Sequence, residues 1–584
     1  MPHIRDRIIA RHYATPHQYD VMVYTENNHY YAKDLRGNLI CVDSPTACLQ
    51  ESVNYVARFG GGRILVRRGT YYPTNRVVIP DGINLLIEGE GNNTVFRYTA
   101  RFTLFVHDPS SPTWTSTIIF RNFKIDRSGS GSVNIDIIHI RYAKFVMFDG
   151  IEVIDDWRNM DGDAALVADN SLIAVAQNNR VFNKSYGIWV GGLLSIARNN
   201  YVENTAKVGI GGAGLLPNFA IPSGYSPGGI TVIESNICVD CGRTDEALAV
   251  DYGSGNSVIE AWGIIRNNLI VSRNYSMRMP IAVIYVSDAV VEGNKVYGSV
   301  SAPTIFMSSN KVIRSLVIRN NVFRVNPNSN YIRPLLFANV VTFENNVFSV
   351  DSSMNQNVSS QIDVIADRLV FRNNRITATY PSGYYTDYII NIVPLGNADF
   401  TTYIENNYFD VPVNPSLPSA VIIYPNTTTT TAYVTFRNNY IKSNTYNGSF
   451  LGLSGNVNAT YYAIIRDNVV AGTIDKSVRL WNNAATTYAV IDTDVIIKSS
   501  PSASYKYLYR SSGTATFSGD GTTTQFSIQH NLVSTPSKIM VTPASRDATS
   551  QFYITTDSER IYVNYLTAPP AGTNNIVLYW YAEV

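Results

Sequence analysis

Along most of the chain apolar and polar residues alternate in short runs, and the runs break at asparagine. SLVIRNNVFRV, residues 315–325, alternates up to Asn320-Asn321 and resumes beyond them, and VTFENNVFSV, LVFRNNRIT, YIENNYFDV and VTFRNNYIKS repeat the phrase. Period-two alternation predicts strands whose side chains project to opposite faces. Marking the second Asn gives Asn179, Asn200, Asn236, Asn268, Asn294, Asn321, Asn346, Asn374, Asn407, Asn439 and Asn468, spaced 21 to 36 residues apart. Asn122 and Gly150 extend the series backwards at 28 and 29. The residue three before the mark is usually apolar (Ile265, Ile318, Phe343, Phe371, Phe436), and so is the residue two after it (Ile270, Phe323, Phe348, Ile376, Ile441). Residues two apart share a strand face, so an odd separation of five means the chain bends at the Asn pair and restarts. Asn suits a bend because it tolerates left-handed backbone angles and its amide hydrogen-bonds nearby groups.

Short β-branched runs with one bend per repeat predict a parallel β-solenoid rather than a helical repeat. Some fifteen coils at ~4.8 Å each would make a rod of roughly 70 Å. One helix is expected, in DSPTACLQESVNYVARFGGG, with Ser44 as N-cap, Pro45 in the first turn and Gly60 to Gly62 as the stop. It would cover the open end of the first coil. After the Ser-rich SSPSASYKYLYRSSG, about five alternating strands divided by Gly, Pro and Asp turns predict a small antiparallel β-sandwich. The expected organisation is hairpin and helix in 1–62, β-helix in 63–500 and sandwich in 501–584.

Composition adds exclusions. Charged residues are 16% of the 584, with 46 basic and 45 acidic, leaving no basic face for a phosphate backbone, so no nucleic-acid partner is expected. No run of ~18 apolar residues is present, so no membrane span is expected, and the N-terminal stretch carries no Sec-type apolar core. Cys41/Cys48 and Cys238/Cys241 form two close pairs. The C-x-x-C at Cys238 has no second half to complete a zinc site and reads first as packed or turn cysteines, with a disulfide and metal or redox chemistry left open.

The phrases GGGRILVRRGTYY and LLIEGEG followed by RNN coils resemble the right-handed parallel β-helix of the pectate-lyase superfamily. YDVMVYTENNHYYAKDLRGNLI resembles the N-terminal hairpin of β-helix proteins from archaeal viruses, thermophiles and phage tailspikes. The resemblance covers roughly residues 20–500, and the terminal segment is similar to compact modules carried by viral tail-fibre proteins. It implies a virion surface or extracellular fibre that recognises host glycans or a receptor, forms a homotrimer and contacts other virion proteins. The fold alone does not set activity, because the superfamily includes lyases, hydrolases, epimerases and inert adhesins.

Catalytic signatures of that superfamily are absent: there is no NTD, GHG and RIK set, and RMPIAV at 278–283 lacks the second Arg of R-x-P-x-x-R. Two acid-rich stretches remain, IDDWRNMDGDAALVADN (Asp155, Asp156, Asp161, Asp163, Asp169) and DCGRTDEALAVDYGSGN (Asp240, Asp245, Glu246, Asp251). Asp245, Glu246 and Asp251 are the catalytic candidates should the chain be a polysaccharide lyase or glycosidase. Treating AALVAD, YGIWVG, VGIGGA, EALAVD and PIAVIY as equivalent strands brings Asp169, Trp189, Asp251 and Tyr285 to one face, with Asp169 and Asp251 about 14 Å apart. GGAGLLPNFAIPSGYSPGG would wall this groove with Phe219 and Tyr225. Trp189, Tyr225, Arg243, Asp251 and Tyr285 are the glycan-binding candidates, since aromatic faces pack on pyranose rings and carboxylates accept hydroxyl hydrogens. The competing reading makes these acids solvated turn residues. No cofactor is expected; calcium is conceivable at NMDGD, where oxygen ligands are dense, although the EF-hand pattern is not met. His530 is expected in an ordinary turn, with a place on a symmetry axis as the alternative.

Overall fold

Three strands make a coil, and in most coils an asparagine pair turns the corner between two of them. The computed structural model describes residues 19–129, 135–156, 163–252, 260–307, 313–327, 334–351, 358–395, 399–416, 419–424, 431–444, 448–454, 460–481, 486–491, 496–499, 504–508 and 510–584. They divide into two compact units, Met1–Pro334 and Leu335–Val584.

In the first unit the strands stack in parallel into three sheets. Sheet 1 enters the corner, through strands such as Gly228–Glu234, Glu260–Arg266 and Asp288–Glu292. Sheet 2 leaves it, through Ile237–Val239, Leu269–Val271 and Lys295–Val300. Sheet 3 carries Ile138–Arg141, Ala164–Gln177, Tyr186–Arg198, Ile210–Ala213, Glu246–Asp251 and Met279–Ile284; the two long strands bend and continue into sheet 1. This is the parallel β-helix that the alternation implies.

The corner divides its work between the two asparagines. The first is left-handed: Asn178, Asn199, Asn267 and Asn320 have φ of 58°, 55°, 56° and 58°, with Ser235 and Gly293 taking the same place at 56° and 65°. The second is buried and forms a ladder. Asn236 Nδ2 donates to the Ala197 carbonyl at 2.9 Å and to Asn268 Oδ1 at 3.0 Å, while its own Oδ1 accepts from the backbone N and Nδ2 of Asn200. The same links run from Asn179 through Asn200, Asn236, Asn268 and Asn294 to Asn321. Each amide therefore satisfies its buried donors and acceptor with backbone and with its own kind. The sequence register needs one adjustment. Asn122 and Gly150, with φ of 56° and 68°, occupy the left-handed place, not the ladder place, so they align with Asn178 rather than Asn179.

The pattern around the corner holds. Ile265, Ile318, Ile270 and Phe323 are fully buried on its two sides. Just before the left-handed residue a second column runs along the surface, pairing Arg198 with Gln177, Arg266 with Glu234 and Arg319 with Glu292. Its charges alternate coil by coil from Arg198 through Glu234, Arg266 and Glu292 to Arg319.

At the start of the unit, Val21–Glu26 and His29–Asp34 form an antiparallel hairpin joined by Leu39–Val42, and Val21–Glu26 also pairs in parallel with Gly61–Val66. The helix is shorter than the sequence suggests, Leu49–Ala57, and begins after left-handed Cys48 rather than at Ser44. Ser44 Oγ instead accepts from the amides of Thr46 and Cys48 and bonds Glu51, so residues 44–47 close a turn. Cys41 and Cys48 form a disulfide across it, whereas Cys238 and Cys241 are free and buried.

The second unit repeats the plan with the ladder Asn346, Asn374, Asn407, Asn439 and Asn468. Phe343, Phe371 and Phe436 before the corner, and Phe348, Ile376 and Ile441 after it, are fully buried. Phe343 and Phe371 stack with centroids 5.0 Å apart. From residue 510 the chain changes character: Arg510–Gly519, Gly572–Glu583 and Lys538–Pro543 form one three-stranded antiparallel sheet, and Gln525–Gln529, Arg560–Tyr565 and Phe552–Thr556 another. Phe526, Ile528, Ile561, Val563, Ile576 and Leu578 form their common core. His530 is buried in a turn here, its Nδ1 accepting from the Leu532 amide at 3.0 Å and its Nε2 3.2 Å from the Asp557 carbonyl. Among the described residues no helix is long and apolar enough to cross a membrane.

Candidate functional site

Sheet 3 of the first unit is where the repeat stops repeating. Its inward positions stay apolar, as in Leu166, Ile188, Ile210, Leu248 and Ile281, which share one buried column. The outward positions vary. One outer column runs His139, Val167, Trp189, Gly211, Ala249 and Ala282. The next pairs Arg141 with Asp169 and Gly191 with Ala213 on successive coils, and ends on Asp251 beside Ile284.

Small residues make this face a recess. Trp189 lies over Gly211: a Cβ there would stand 2.5 Å from the indole Cε3, so a side chain at 211 would displace the ring. Gly191 stands close to Asp169, whose Oδ1 lies 2.9 Å from where its Cβ would be. The Trp189 ring is thus laid across the coil that follows, half-buried, with Gly191 and Ala213 flooring the space beside it.

Carboxylates gather next to it. Tyr186 sits in the field of Asp245, Glu246, Asp163 and Asp251, and burial together with those four charges pushes its hydroxyl pKa up. Lys207 Nζ lies 5.5 Å from the centre of the same ring. Burial raises Glu246 to about 8, helped by its hydrogen bond with Asp245 and by the nearby Asp251 charge, so it is protonated at neutral pH. Burial and Asp136 raise Asp163 to about 6 against the pull of Lys184, His139 and Lys207. Asp245 stays half-exposed, with Arg278 Nη1 3.7 Å away.

The candidates from sequence do not all converge. Trp189, Asp245, Glu246 and Asp251 belong to the recess. Asp169 is in the column that ends on Asp251, three coils earlier. Tyr285 stands beyond the end of Met279–Ile284 in a left-handed corner at φ 56°, one place past the position that aligns with Asp251. Arg243 turns to sheet 2, bonding Asn204 and lying 3.3 Å from the centre of the Tyr275 ring. Tyr225 is exposed on the loop between Ile210–Ala213 and Gly228–Glu234. Phe219 of that loop covers the Arg141 guanidinium at 4.9 Å. Most of NMDGD lies outside the described residues, and among the described residues no group of His, Cys, Asp and Glu could hold a metal ion. Tyr186, Lys207, Arg141 and Asn170 were not singled out; aligning IHIR with LVAD and IWVG would have found Arg141.

No family model matches the chain, and no curated protein matches it. Among solved structures, the tailspike protein gp49 from Pseudomonas phage LKA1 aligns at 10% identity and TM-score 0.37 over 92% of each chain. The tailspike gp61 from Pseudomonas phage phi297 aligns at 10% identity and TM-score 0.31, again over 92% of each. A mutant tailspike of E. coli bacteriophage HK620, in complex with a pentasaccharide, aligns at 15% identity and TM-score 0.34 over 94% of this chain and 92% of that one. The reading of the site rests on its own residues.

Proposed function

We propose that this chain is a tailspike-like fibre protein of a virion surface, and that the recess on sheet 3 of the first unit recognises a host cell-surface glycan. The observation that carries the reading is the Trp189 ring laid over Gly211 beside Glu246, Asp245 and Asp251. An indole face packs on the C–H side of a pyranose, while neutral and ionised carboxyl groups bond its hydroxyls as donor and acceptor. The repeat supplies rigidity, and the varied outward residues of sheet 3 supply specificity.

The assembly we propose is a homotrimer that also contacts other virion proteins. In the second unit, Tyr433 and Tyr462 on the paired strands Thr431–Arg437 and Thr460–Arg466 stack with centroids 5.4 Å apart beside exposed Ile464, an apolar surface suited to burial between copies. Val533 borders the same face and lines with these strands an open hollow of about 280 Å³.

A second reading, hydrolysis or lyase cleavage of the bound glycan, is favoured by one observation: Glu246 holds a proton at neutral pH next to Asp245, the acid form that a general acid needs. Incubation with candidate host polysaccharides separates the two. Binding without new reducing ends or unsaturated uronate absorbance supports recognition alone; product formation abolished by Glu246→Gln supports the enzyme; absence of any binding sinks both.

A further inference from the structure

Asp169 is buried, and its Oδ1 has no hydrogen-bond partner among the described residues. Its other oxygen meets Arg141 Nη2 only at 3.4 Å. The Nε of Arg141 and the Nε2 of His139, one column away, are likewise enclosed without a partner among the described residues. An acceptor and two ring or guanidinium nitrogens left unpaired in one place are costly, roughly 1–3 kcal/mol each. They sit at the Gly191 end of the recess, where the missing side chain leaves Oδ1 facing the floor.

What closes this corner is the loop of residues 214–227. Its ends are tied by the paired Leu215 and Gly228 backbones, and its middle is held by Asn170, whose Oδ1 accepts from the Leu216 amide at 2.9 Å and whose Nδ2 donates to the Ala220 carbonyl. Phe219 lies on the Arg141 guanidinium between those two ties, and Trp114 donates its indole N–H to the Asn170 carbonyl at 3.3 Å. The residue that anchors the loop thus follows Asp169 directly in the chain, and the ring that covers the loop's underside rests on the ion-pair partner of Asp169. Opening the loop lifts Phe219 from Arg141, the ion-pair partner of Asp169.

We infer that the loop 214–227 is a strap over a separate subsite, formed by Asp169, Arg141 and His139, that takes one hydroxyl of the glycan. A hydroxyl suits the site because it accepts from the Arg141 Nε–H while donating to Asp169 Oδ1, with His139 Nε2, whose ring is held through Nδ1 by Asp136 at 2.7 Å, as a second acceptor. A charged group does not, since it would meet both signs. The inference rests on the glycan reading above and adds to it a second contact three coils from Asp251, so the ligand must span the recess as an oligosaccharide rather than a monosaccharide.

The test uses the full chain and an array of neutral, deoxy, N-acetylated and uronic-acid oligosaccharides. For the tightest binder, Asp169→Asn is expected to weaken binding roughly 10-fold or more, the worth of a charge-assisted hydrogen bond, with the thermal midpoint unchanged. Phe219→Ala is expected to raise both association and dissociation rates. Hydrogen exchange at Leu216 and its neighbours is expected to slow when ligand is bound. If the wild type binds and Asp251→Ala weakens it while Asp169→Asn and Phe219→Ala leave affinity and rates untouched, the strap subsite is wrong and the glycan reading stands. If the wild type binds no member of the array, both fall.

Discussion

Two sides of the same coils in the first unit are built in opposite ways. From Asn179 to Asn321 the corner repeats one solution, a left-handed residue followed by a buried Asn whose amide is handed from coil to coil. On the outer face of sheet 3 no single residue type runs from coil to coil: successive coils offer Gly191 and Ala213 in one column and Val167, Trp189, Gly211 and Ala249 in the other. The corner carries stability because its groups are enclosed and mutually satisfied. The face varies because each coil packs its outward residues locally, as Val208, Ala249 and Ala282 do against Tyr186 and Ile284, and not through one shared bond.

Breaking the corner should cost most. Asn236→Leu leaves the Asn200 amide without its acceptor and the Ala197 carbonyl without its side-chain donor, a loss of about 3 kcal/mol or more, read as a lowered denaturation midpoint. On the face, Trp189→Ala should weaken glycan binding roughly 10- to 100-fold while leaving that midpoint nearly in place. Equal loss of stability in both variants would erase the contrast.

The left-handed place separates conformation from bonding. Asn267→Val should destabilise by about 1–2 kcal/mol, since a β-branched residue resists that backbone angle, whereas Asn267→Gly should change stability by only a few tenths of a kcal/mol. The face has its own signature in pH. Glu246 is raised from its usual 4.5 to about 8 in the folded chain, so between those values the native state holds a proton that the unfolded state has released. Stability should therefore fall as pH rises through that window, by at most about 1.4 kcal/mol per unit, and Glu246→Gln should flatten the slope. The smallest effect belongs to the surface column: Arg266→Glu, set between Glu234 and Glu292, should cost under about 1 kcal/mol and lose even that at high salt.

The contrast also explains what was legible in the sequence. The corner could be read because each coil meets the same constraint and answers it with the same two letters; even its register was off by one only where Asn122 and Gly150 stand alone without the second Asn. The helix start was misplaced because Ser44 bonds the amides of a turn, a role that local sequence does not distinguish from capping a helix. The face was half legible. Trp189 and Asp251 followed from strand alignment, but Arg243 and Tyr285 left the groove because a side chain's direction at a strand end depends on the corner conformation there. Asn170 was missed because its contacts, Leu216 and Ala220, lie 46 and 50 residues along the chain in an insertion with no period.

The alternating surface column has a consequence for length. From Arg198 to Arg319 opposite charges face each other at every step. Removing or adding one coil in that stretch sets like charges side by side, whereas removing or adding two restores the order. Pairing one coil out of step is opposed in the same way, by the small, salt-screened energies of exposed charge pairs. Any lengthening or trimming of this part of the rod, by design or by descent, is then favoured in pairs, in increments of about 9.6 Å, twice the strand spacing.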